Sequence, residues 1–152
     1  MKCESGRSLL EVIGVLAIAG LMTVGAFSAY KVMRTNQTRT IANADLTKLV
    51  QDTKILFEAR GGYDGVSVDY LIKAGALKNN ASPIGGADWS VVASADGHSF
   101  QINLVDLTSG ECEYFASTKP QWATAVLING FEVGLTSGCF ESNTNQLSFI
   151  VE

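Results

Sequence analysis

The sequence predicts an α+β protein in which one long N-terminal helix, transmembrane in its first part and amphipathic in its second, packs on an antiparallel sheet head. Three observations predict it. Val12 to Tyr30 carry no charged side chain, and no proline interrupts the chain before Pro83. Apolar positions then continue at helical spacing as far as Phe57. Beyond a glycine pair the sequence becomes β-rich, with Asp-Gly and Asn-Gly turns between apolar stretches.

The membrane segment comes first. At about 1.5 Å of rise per residue, Val12 to Tyr30 extend roughly 28 Å, close to the roughly 30 Å hydrocarbon core of a bilayer. Glu11 stands at the mouth of this run. A carboxylate within a membrane costs about 2.5 to 3.5 kcal/mol on insertion scales, less toward the interface, so Glu11 calls for a positive partner. A signal peptide, with residues 17 to 20 as its small-residue cleavage site, and a plain bitopic anchor are two other readings of such a run. Neither explains why Gly6 and Glu11 bracket its start.

Gly6, Arg7, Glu11 and the apolar run after them resemble the N-terminus of type IV pilins and pseudopilins. In that family a prepilin peptidase cuts after a glycine, the new terminal residue is N-methylated, and the fifth residue after the cut is a glutamate. The resemblance implies cleavage between Gly6 and Arg7, N-methylation at Arg7, and an assembly charge pair between Glu11 and the terminal amine of a neighbouring subunit. Removing one member of such a buried pair strands the other at a cost of about 3 to 5 kcal/mol. Two features depart from the family. Arg7 replaces the usual large apolar residue and adds a second positive group near Glu11, and the leader carries Lys2 as its one base, offset by Glu4.

The implied domains are a leader at residues 1–6, a transmembrane and assembly helix at 7–33, and a head at 34–152 that includes the rest of the long helix. The implied partners are further copies of the chain in a helical homopolymer, the prepilin peptidase, and an assembly platform in the inner membrane. Storage in a bacterial inner membrane would precede a periplasm-spanning or cell-surface filament. Adhesion, motility, DNA uptake, conjugation and secretion are all open as the filament's task.

Once Cys3 is assigned to the leader, Cys112 and Cys139 remain as an even pair, which suits a disulfide in an oxidising compartment. Two buried free thiols are the alternative. Lys31, Arg34 and Arg39 follow the apolar run whereas Lys2 and Arg7 precede it, so a positive-inside count would put the head in the cytoplasm. The cysteine pair and the pilin resemblance outweigh that count.

The helix is expected over Leu9 to Arg60. Ala42, Leu46, Leu49, Thr53 and Phe57 mark its packing face, while Arg39, Asn43, Lys48, Asp52 and Lys54 occupy the others. Gly61 and Gly62 stop it. Gly14, Gly20 and Gly25 each weaken it by about 1 kcal/mol relative to alanine. They are either places where the helix unwinds in a filament, as the resemblance implies, or small residues in a membrane-helix contact.

Ser67 caps a short helix over Val68 to Ala74. The turn residues Tyr63-Asp64-Gly65 and Pro83-Ile84-Gly85-Gly86, with the aliphatics between them, resemble the connecting region of type IVb pilins, although that branch usually has a longer leader. Strands over Trp89 to Ala93 and Ser99 to Val105 flank Asp96-Gly97, and strands over Ala123 to Ile128 and Phe131 to Leu135 flank Asn129-Gly130. A helix over Glu111 to Ser117 carries Cys112. Leu147, Phe149 and Val151 alternate in a last strand with no assignable partner.

No chemistry is indicated in the head. The single histidine, His98, adjoins a turn, and Glu111, Glu113, Glu132 and Glu141 are dispersed. Residues 141 to 146 lack the aspartate cluster that holds calcium in some pseudopilins, so neither metal nor cofactor is expected. At a net charge of −4 the scattered Lys and Arg offer no basic face for nucleic acid. The expectation is a structural subunit of a type IV pilus or related filament and no enzyme, with a minor pilin or type II secretion pseudopilin as the near alternative. A membrane-anchored extracytoplasmic enzyme or binding domain is the alternative of another class.

Overall fold

The computed structural model describes residues 5–86, 88–133 and 138–152. The chain divides into two compact units, one ending at Thr38 and the other running from Arg39 to Glu152. Helix α1, Ser5–Glu58, contributes to both. It starts four residues earlier than the sequence pattern suggests and passes through Gly14, Gly20 and Gly25 without a break.

In the first unit every side chain from residue 9 to 38 is exposed. Four aliphatic hydroxyls on this stretch are satisfied locally. Thr23 Oγ1 donates to the Ala19 carbonyl, and Ser28 Oγ, Thr35 Oγ1 and Thr38 Oγ1 donate to carbonyls four residues back at 3.0 Å. A hydroxyl bonded to its own helix can enter an apolar medium without leaving a donor unsatisfied.

The second unit is built on α1 residues 39–58. Ala42, Leu46, Leu49, Thr53 and Phe57 are all buried, as is Val50. The helix ends in a tight turn, with the Arg60 amide donating to the Phe57 carbonyl at 2.9 Å and Gly61 at φ +72°. Ser67 caps α2, Val68–Lys73, by accepting from the Tyr70 amide, and Ala74 closes it.

The sheet comprises β1 (Trp89–Ala93), β2 (Phe100–Leu107), β3 (Ala125–Ile128), β4 (Phe131–Glu132) and β5 (Asn145–Val151), all antiparallel in the order β1-β2-β5-β3-β4. The terminal strand therefore lies at the centre, Ile102 facing Phe149 on one side and Val126 facing Phe149 on the other. Its alternation puts Leu147, Phe149 and Val151 into the core, each 0 % exposed. Helix α3, Ser109–Ser117, follows β2 directly and opens with a capping box between Thr108 and Glu111.

The β1–β2 connection turns at Gly97, φ +69°, whose carbonyl accepts from the Tyr63 amide at 2.8 Å. That bond fastens the chain leaving α1 to the hairpin. Gly86, φ +81°, passes so close to β2 that an added Cβ would stand 2.3 Å from the Val105 carbonyl oxygen. Strand β2 runs two residues past the expected Val105 through a bulge, with Asp106 at φ +56°. Strand β4 covers only Phe131–Glu132, and the Leu135 end of the strand expected there lies outside the described residues.

Candidate assembly surface

The exposed part of α1 is the surface that asks for a partner. Leu9, Leu10, Val12, Ile13, Val15, Leu16, Ile18, Leu21, Met22, Val24 and Phe27 are all more than half exposed. An 18-residue window of this helix has a mean hydropathy of 2.2, and among the described residues it is the one helix long and apolar enough to cross a membrane. Burying a single large apolar side chain is worth about 1.5 to 3 kcal/mol, so a run of them left in water is strongly unfavourable. Lipid tails or other apolar helices must cover it.

Glu11 is exposed within α1, close to the start of this run, and Gly6 and Arg7 belong to the same helix near its N-terminus. The interval from Gly6 to Glu11 is therefore helical and spans little more than one turn. No apolar side chain interrupts the polarity of the helix start between Ser5 and Ser8.

In the head, Cys112 of α3 is bonded to Cys139, with 5.9 Å between their Cα atoms and a sequence separation of 27. The segment from Cys139 into β5 is held by a second device that sequence reasoning missed. Asn145 is 0 % exposed. Its Nδ2 donates to the carbonyls of Ser142 at 2.9 Å, Phe140 at 3.0 Å and Leu107 at 3.3 Å. Its Oδ1 accepts from the Phe140 amide at 2.7 Å. The same amide group thus organises the turn before β5 and ties it to the end of β2.

Arg39 also corrects the sequence reading, which placed it on an outer face of the helix. Its Nη2 donates to the Gly110 carbonyl at 2.9 Å, and its guanidinium lies 4.8 Å from the centre of the Tyr114 ring. A long stem lets the charged end reach α3 while its carbons cover apolar surface. Trp122 Nε1 donates to Thr47 Oγ1 at 3.1 Å, a further tie between α1 and the region before β3.

Among the described residues no three His, Cys, Asp or Glu side chains are grouped so as to hold a metal ion. His98 is exposed in the hairpin turn, where its backbone amide donates to Asp96 Oδ1 at 3.1 Å. A hollow of about 280 Å³ is lined by Asp45, Lys48, Lys78 and Asn79 among others, with no serine, threonine, cysteine or histidine in its wall.

No family model matches the sequence, and no curated protein matches it. Among solved structures, the chain is similar to the crystal structure of TcpA, a type IV pilin from Vibrio cholerae El Tor biotype. The TM-score is 0.58 at 11 % identity, over 76 % of this chain and 99 % of that one. The fold is that of a type IV pilin. The long helix with a five-stranded antiparallel head is accordingly pilin-like architecture, and at 11 % identity the likeness lies in the backbone path. The apolar helix and the Cys112–Cys139 bond agree with it.

Proposed function

We propose that this chain is a structural subunit of a type IV pilus or pilus-like filament, matured by a prepilin peptidase and assembled through the first part of α1. The observation that carries the reading is one continuous helix whose residues 9–38 are all exposed and mainly apolar while residues 39–58 form the spine of a pilin-fold head. In the inner membrane, lipid covers the exposed part. In the filament, the same part of neighbouring subunits covers it, so apolar burial replaces lipid contact. No new apolar surface has to be created for the transfer.

Within this reading the peptidase cuts after Gly6, Arg7 becomes the N-methylated terminus, and Glu11 pairs with the terminal amine of the next subunit. The head resembles the type IVb branch in its connecting region, Tyr63 to Gly86. The peptidase and an inner-membrane assembly platform are the partners, and the mature polymer stands at the cell surface. Mass spectrometry of the N-terminus in the native host tests the processing: a chain starting at Arg7 is expected, and one starting at Met1 in assembled material overturns it. Glu11→Ala tests assembly. The variant should be processed normally and fail to enter filaments, because the neighbouring ammonium is left buried without its counter-charge at a cost of about 3 to 5 kcal/mol. Wild-type yields of sheared filaments from that variant would remove Glu11 from the mechanism.

A further inference from the structure

The apolar run ends at Tyr30, and the next charged groups are Lys31 and Arg34, one helical turn apart on one face and both exposed. Neither base has a local counter-charge. The positions three and four residues from Lys31 are Phe27, Ser28, Arg34 and Thr35, and those around Arg34 are Tyr30, Lys31, Gln37 and Thr38. No acidic residue occurs between Glu11 and Asp45, and Asp45 lies about three helical turns beyond Arg34. Two like charges at this spacing weaken a helix unless an anion answers both.

The placement says which anion. With Val12 to Tyr30 spanning roughly the hydrocarbon thickness, Tyr30 falls at the interface and Lys31 and Arg34 at the depth of the phosphates. The Thr35 and Thr38 hydroxyls donate to the backbone carbonyls of these two bases at 3.0 Å, the helix is continuous through this stretch, and both basic side chains are exposed. We propose that Lys31 and Arg34 form a binding site for the phosphate of an anionic phospholipid, which holds the head-side end of the membrane segment at a fixed depth. The site rests on the membrane-stored stage of the proposed function and not on filament assembly. It also explains how a positive cluster follows the span without an acidic partner in the chain.

The test uses the full chain in nanodiscs of mixed phosphatidylglycerol and phosphatidylethanolamine, with the co-purifying lipid counted by native mass spectrometry. The wild type should retain phosphatidylglycerol in preference to phosphatidylethanolamine, and each base removed, in Lys31→Gln and Arg34→Gln, should reduce that preference about five-fold. Lys31→Arg should keep it. A wild type without preference, or a double Gln variant with the wild-type preference, overturns the site. Unchanged lipid retention with lost self-association in the double variant would assign the bases to a carboxylate of a second copy and overturn it as well. Alkaline extraction of native membranes separates the two levels: a chain released from the membrane refutes the span itself, whereas an embedded chain with no lipid preference refutes only the site.

Discussion

Residues 9–38 and residues 39–58 are parts of one α-helix, yet the first has every side chain exposed and the second carries a row of core residues. Phe27 is 66 % exposed and Phe57 is 1 % exposed. What separates them is the origin of the covering surface, which for Phe57 is Tyr63 and Tyr70 of the same chain, with ring centres at 6.0 and 5.2 Å. Phe27 must take its cover from another molecule. Stability of the head is therefore stored in one stretch of the helix, and the proposed association in the other.

The widest separation between them should come from two phenylalanine truncations. Phe149 is 0 % exposed at the centre of the sheet, with Trp122 at 5.1 Å and Phe115 at 6.2 Å between ring centres. Phe149→Ala should cost the head about 3 to 5 kcal/mol, read from denaturant unfolding of the full chain in detergent. Phe27→Ala should leave that unfolding midpoint in place and instead weaken self-association or filament yield. An equal loss of head stability in both variants would break the comparison.

The disulfide comes next in size. Closing its loop should stabilise the head by roughly 3.5 kcal/mol in the chain-entropy account. Cys112→Ser/Cys139→Ser should lower the unfolding midpoint accordingly, while alkaline extraction still finds the chain in the membrane. Because Asn145 holds the turn before β5 independently, β5 should stay paired in the double variant. Hydrogen exchange would show this as continued protection of the Phe149 amide. Loss of that protection would mean that the covalent bond, and not the Asn145 network, sets the start of the central strand.

Local order was largely legible and distant pairing was not. The helical period gave the face Ala42, Leu46, Leu49, Thr53 and Phe57, because each position is decided by neighbours one turn away. Val50 was missed since it sits at the flank of that stripe, and Arg39 was misplaced because charge was read without the reach of its stem. The Asp96-Gly97 hairpin is a short-range event and was readable from its turn. The partners of β5 were not, since β2 and β3 are joined to it through long intervening segments. Asn145 did leave a signal: it continues the Leu147, Phe149, Val151 alternation backward onto the core face, where a polar residue must be fully hydrogen-bonded.

The proposed assembly residues rest on another kind of signal. Gly6, Arg7 and Glu11 stand out through their resemblance to a processing motif, whereas Cys112 and Cys139 became a pair only after Cys3 had been set aside. The physical argument for Glu11 alone calls for a positive partner and leaves that partner unnamed.

The smallest expected effect belongs to the exposed hairpin of the head. Asp96 accepts from the Ser94 hydroxyl and from the His98 amide, the latter at 3.1 Å, and these bonds hold its carboxyl below the usual aspartate value of 3.8. A group whose pKa is lower when folded than when unfolded adds stability above the unfolded value and loses it as the pH falls through the folded one. The hairpin should therefore loosen below about pH 4. Water screens this fully exposed carboxylate, so the change in head stability should be slight, and much smaller than that of either variant above. A carboxyl-detected NMR titration should place the Asp96 midpoint below those of the other exposed aspartates, and Ser94→Ala should move it back toward them. An Asp96 midpoint indifferent to Ser94→Ala would show that the Ser94 hydroxyl adds nothing and leave the His98 amide as the bond that lowers it.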